Sequence, residues 1–128
     1  MRTDIKSHLS PAQSLRPAAR TASANGVGVD LANYDAAVVV IDAGTWTDGT
    51  HTFALQESDD NSTFTAVAAA DLDGAAPVFN DANDDDQVYE IGYHGIKRYL
   101  RVAVTVASAT TGAVYSATVI RGKGRVKP

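Results

Sequence analysis

Tyr99-Leu100-Arg101-Val102-Ala103-Val104-Thr105-Val106 is the stretch that decides the fold class. Leu100, Val102, Val104 and Val106 form an unbroken apolar face, with Arg101 and Thr105 opposite. A strand sends successive side chains to opposite faces, so this period-two pattern reads as a half-buried β-strand. Downstream, Gly112 breaks the chain and Ala113 to Ile120 reads as a last strand, expected to form an antiparallel hairpin with the first. Upstream, Val88 to Tyr93 places Tyr89, Ile91 and Tyr93 on one face. His51 to Glu57 places Phe53 and Leu55 on one face and Thr52, Ala54 and Gln56 on the other. The polar turn Ser58 to Ser62 returns into Thr63 to Val67 as its expected hairpin partner. Tyr34 to Asp42 contains Val38-Val39-Val40-Ile41, which reads as buried on both faces. Asp48-Gly49 favours a hairpin, Asn25-Gly26 signals a turn, and Val27 to Leu31 alternates weakly. Ala68 to Ala76 is Ala-rich, but Asp71, Asp73 and Gly74 favour a loop there. About seven strands at short spacing predict an all-β fold: a single antiparallel β-sandwich or jelly-roll-like domain. No long helical periodicity supports an α/β alternative.

Residues 1–24 read differently. Pro11 and Pro17 interrupt a segment poor in β-branched residues, which predicts an extended N-terminal arm. The sandwich is expected over residues 25–121 and a basic tail over 122–128. The chain has 128 residues, the size of one domain, and a net charge of −4, which argues against a dedicated DNA-binding domain. That charge is segregated. No Lys or Arg occurs between Arg20 and Lys97, while Arg121, Lys123, Arg125 and Lys127 crowd the C-terminal stretch. Basic tails can track phosphates, but no aromatic residues interleave here to stack on bases, so nucleic acid is not the expected partner. The longest apolar run, Ala36 to Ile41, is far short of the ~20 residues of a membrane span. The opening residues show no apolar stretch of a secretory signal, so use without translocation is expected.

The chemistry-bearing residues are sparse. Cysteine is absent, which excludes disulfides and thiolate sites. His8, His51 and His94 stand apart from any nucleophile elbow, and no phosphate-binding glycine loop is complete. Neither an enzyme nor a cofactor is expected. Asp81, Asn83 and Asp85 match the first ligands of an EF-hand loop, but Asp86 stands where Gly is needed and Gly92 where Glu is needed. Asp84, Asp85 and Asp86 remain a weak candidate for a loose Ca²⁺ site, with a solvated acidic loop favoured. Asn61-Ser62-Thr63 fits a glycosylation sequon but reads better as a turn.

Four segments resemble small virion proteins of tailed bacteriophages: Leu9 to Thr21, Val38 to Thr50, Gln56 to Phe64, and Lys97 to Val102. The resemblance implies a capsid decoration, or cement, protein. It would be made in the host bacterial cytoplasm and sit on the capsid surface of the virion. Its partner would be the major capsid protein, and it would form a homo-oligomer, a trimer favoured over a dimer. The resemblance transfers no functional residues, so the interface rests on chemistry. Leu9 and Leu15 are the apolar anchors of the expected arm, Pro11 and Pro17 limit its conformations, and Arg16 and Arg20 offer bidentate contacts to carboxylates. The alternatives are another virion part (tail, neck or head closure) and a carbohydrate-binding sandwich using Trp46 with Tyr93.

Overall fold

A computed structural model describes residues 2–124. Its strands are β1 (Leu9–Arg20), β2 (Ala24–Asn25), β3 (Val29–Asp30), β4 (Tyr34–Trp46), β5 (Thr50–Ser58), β6 (Thr65–Ala66), β7 (Leu72–Asp73), β8 (Val78–Phe79), β9 (Val88–Tyr93), β10 (Tyr99–Ala107) and β11 (Ala113–Gly124). Three single 3₁₀ turns, Lys6–His8, Ala69–Asp71 and Ala82–Asp84, are its helical content. One sheet runs β1-β11-β4-β9-β7. The other runs β2-β10-β5-β6, with β3 also on β10 and β8 also on β5. Every pairing is antiparallel. The all-β antiparallel sandwich is the fold observed.

The core lies between the sheets and follows the alternation in the sequence. Val39, Ile41, Ile91, Ala117 and Val119 of the first sheet face Phe53, Leu55, Leu100, Val102 and Val104 of the second, all buried. Each of the larger aliphatic and aromatic side chains contributes roughly 1.5–3 kcal/mol by leaving water. Phe53, Phe79 and Tyr115 meet edge to face at ring separations of 4.8 to 5.8 Å.

The segment expected as an arm is a strand. β1 pairs with β11 from Leu9↔Gly122 to Arg20↔Ala113, and Leu15 lies in the core. Prolines remove ladder donors, which an edge strand tolerates and a central strand does not. β1 is such an edge, so Pro11 and Pro17 mark a sheet margin instead of a free arm. Its register breaks between Gln13 and Leu15 and again between Leu15 and Ala18. At the first bulge Ser14 and Leu15 are both buried in succession. Ser14 then joins the two sheets. Its Oγ accepts the Val102 N–H at 2.9 Å and donates to the Val27 carbonyl at 2.9 Å. The Gly26 N–H donates to the Val102 carbonyl at 2.7 Å, and a Cβ on Gly26 would overlap Ser14 Oγ.

The other corrections concern pairing. β10 and β11 are not a hairpin. β10 pairs with β5 and β11 with β4 and β1, in opposite sheets. Both strands carry an apolar face, and the turn between them crosses the core so that each face meets it. Asp48-Gly49 likewise crosses between the sheets. Val38 and Val40 are half-buried on the outer face, while Val39 and Ile41 fill the inner one. β11 runs on to Gly124, so Arg121 and Lys123 belong to a strand and not to a tail. Arg125 and Lys127 lie outside the described residues.

Candidate functional site

The crossovers divide the sandwich into two ends. At one, the turns after β4, β10 and β8 meet. Asp48 accepts the N–H groups of Thr110, Thr111 and Gly112, the last at 2.7 Å. These bonds hold its carboxyl below the usual range. His51 is fully buried. Its Nε2 faces the Asp48 carbonyl at 3.0 Å and its Nδ1 faces the Tyr115 hydroxyl at 2.9 Å. A carbonyl only accepts, so Nε2 carries the proton and Tyr115 donates to Nδ1. Burial pushes the Tyr115 phenol up to about 12, which keeps that donor in place. His51 is a satisfied core residue.

The acidic loop belongs to the same end and is occupied with its own backbone. Asp84 Oδ2 accepts from Asn80 and Asp81 N–H and Asp81 from Asn83, a capping box. Asp85 accepts the Trp46 N–H at 2.7 Å. Asp84, Asp85 and Asp86 therefore do not converge. Among the described residues, no group of three or more His, Asp or Glu side chains is placed to hold a metal ion.

The opposite end is open. Residues Leu31 to Ala37 and the loop from Tyr93 to Arg98 line a groove of 570 Å³. Ile96 stands at its rim and is 96% exposed. Arg98 grips Asp30 bidentately at 2.8 and 2.9 Å, and its hydrogen bonds lower the Asp30 carboxyl to about 2. Lys97 reaches Asp59 at 2.7 Å. Tyr93 is buried and donates to Glu57 at 2.6 Å, and burial first, then Glu57, raises its phenol. Arg121 lies 5.0 Å over the Tyr34 ring while bonding Ser10 and the Asp30 carbonyl. The groove thus offers the rings of Tyr34 and Tyr93, the fixed Arg98 guanidinium and the exposed Ile96 tip.

The residues expected at an interface are scattered by the fold. Leu15 is buried, so it cannot anchor a partner. Leu9 is half-buried and pairs with Gly122 across the β1–β11 ladder. Pro11, Arg16 and Pro17 are exposed along the edge of β1. Arg20 folds back onto the carbonyls of Arg16 and Tyr115 at 2.8 and 3.1 Å, with its guanidinium 5.3 Å over the Tyr115 ring. Arg121 is held internally, as described. The Trp46–Tyr93 sugar platform does not exist: Trp46 packs half-buried with its indole N–H on the Gly49 carbonyl, and Tyr93 is in the core. Ile96, Lys97 and Arg98 were missed as site residues. Their signal is a lone aliphatic after Gly95, followed by the first basic pair after the long stretch without Lys or Arg.

The chain is similar to solved structures, and it shares the two-sheet antiparallel sandwich with the first named here. One is the SPBc2 prophage-derived protein YomS, at 12% identity, with 89% of this chain and 93% of that chain covered and a TM-score of 0.52. Another is PirA, at 13% identity, with 95% and 96% covered and a TM-score of 0.42. No protein-family model matches the chain, and no curated protein matches it. No helix among the described residues is long and apolar enough to cross a membrane.

Proposed function

We propose that the chain is a structural component of a tailed-phage virion that decorates the capsid and binds the major capsid protein as a homo-oligomer. The sequence resemblance set out above supports this, and so does the sharing of a fold over most of its length with a prophage-derived protein. The open end carries the capsid contact. The observation behind that assignment is Ile96, 96% exposed beside an ordered groove, with Ile5 63% exposed near the same end. Exposed aliphatic tips beside preorganised guanidinium groups suit a protein–protein contact, where ordering costs are already met. Many such weak contacts across a closed shell act together.

Purified empty capsids with added protein test this. A variant lacking residues 1–8 and carrying Ile96→Asp should fold normally and fail to decorate. Decoration at unchanged occupancy would reject the open end as the contact. Copy number per particle addresses location: hundreds of copies support a shell protein, and a dozen or fewer support a tail, neck or head-closure part.

A further inference from the structure

The two sheets differ on their outer faces. On the second sheet, Thr52, Gln56, Arg101 and Thr105 stand on the outward positions of β5 and β10, and Arg101 donates to Gln56 at 2.8 Å. On the first sheet, Pro11, Ile120 and Val38 lie side by side across β1, β11 and β4, and Thr118 and Val40 form the next row. Val88 on β9 is 61% exposed. Negative charge on this face is sparse and lies on the β4, β9 and β7 side, where exposed Asp73 extends the row of Val38 through Gly92. Glu90 continues the row of Val40, and Asp42 pairs with Val88, so both carboxylates sit at the β4–β9 side. Arg16 is exposed on β1 at the opposite side. It follows Leu15, the partner of Ala117, which places it level with Ser116 and Asp42. The ion pairs among the described residues are Lys97–Asp59 and Arg98–Asp30, so Arg16, Asp42 and Glu90 are all unpaired.

We propose that this outer face joins two copies of this chain, sheet on sheet, about a two-fold axis parallel to the strands. An axis running between β11 and β4 lays the β1 margin of one copy on the β9 margin of the other at the same level. Each Arg16 then meets the partner's carboxylate corner, and the aliphatic row meets itself. A two-fold contact is isologous, so both charge pairs form together. Self-complementarity of this kind favours a second copy over an unrelated partner. The size is consistent. Four strands at ~4.8 Å spacing and about seven residues at ~3.4 Å span roughly 19 by 24 Å. That is roughly 900 Å² over both copies before side-chain relief, the low end of specific interfaces, so the dimer should be reversible. The inference deepens the homo-oligomer part of the proposed function and rests on it there. Its test needs no capsid, so the two readings fail separately.

Sedimentation velocity of the full chain over about 1 to 500 µM reads the outcome. A concentration-dependent dimer is expected. Val40→Lys should give a monomer, while Arg101→Glu on the opposite sheet should leave the dimer intact. Arg16→Glu, at an exposed site that cannot disturb the core, should weaken the dimer about tenfold, and adding Glu90→Arg should restore it. A monomer at every concentration, a trimer, or a dimer indifferent to both Val40→Lys and Arg16→Glu would overturn the proposal.

Discussion

The two ends of the sandwich solve opposite problems. At the closed end, every turn is held by another turn. Asp48 grips residues 110–112, its own carbonyl holds His51, and His51 holds Tyr115 across the core. At the open end, Lys97 and Arg98 hold exposed aspartates, and Ile96 touches water almost everywhere. The buried His51–Tyr115 bond is costly to break because its partners have nowhere else to turn, whereas exposed ion pairs contribute little. The closed end therefore serves stability, and the open end adds little to it.

Substitutions can break that division, beginning with the most damaging. Gly112 has φ +85°, and a Cβ there would overlap the Arg20 carbonyl. Gly112→Ala should cost about 3 kcal/mol or more, read as a lower urea midpoint. Tyr115→Phe strands the unprotonated nitrogen of His51 in the core. It should cost about 1–3 kcal/mol by the same measurement, and a change below 0.5 kcal/mol would show that the closed end is not what holds the fold. Asp48→Asn probes the pH dependence. The Asp48 carboxyl titrates below its unfolded value of about 4, so its stabilisation is present above that pH and is lost as pH falls further. The variant is expected to show a flatter loss of stability as pH falls below about 4, and an unchanged slope would show that other carboxylates dominate the acid sensitivity. Ile96→Asp sits at the other extreme. It should shift stability by about 0.5 kcal/mol at most while removing the proposed capsid binding, and a large loss of stability would mean that Ile96 belongs to the fold.

The interior of this fold was legible because burial enforces period two. Leu100, Val102 and Val104 face the core as their alternation requires, as do Phe53, Leu55 and Ile91. Partnership between strands was not legible. The apolar faces of β10 and β11 look alike whether the strands are paired in one sheet or packed across two, and only the three-dimensional crossing separates these. β1 was misread because Pro11 and Pro17 suit an extended arm and an edge strand equally, and because a bulge hides the alternation around Ser14 and Leu15. The groove escaped for a related reason. Its residues come from segments about 60 positions apart, and no local pattern ties Tyr34 to Ile96.

The pairing of β1 with β11 has a consequence for synthesis. Leu9 must wait for Gly122 to leave the ribosome, more than a hundred residues later, before its strand has a partner. At roughly 5–20 residues per second, that wait is on the order of 5–20 s. Throughout it, Leu15 and the strand around it are open to any passing β-edge. Pro11 and Pro17 deny donors to such strangers, so the two prolines act as gatekeepers on the nascent chain well before they border a finished sheet.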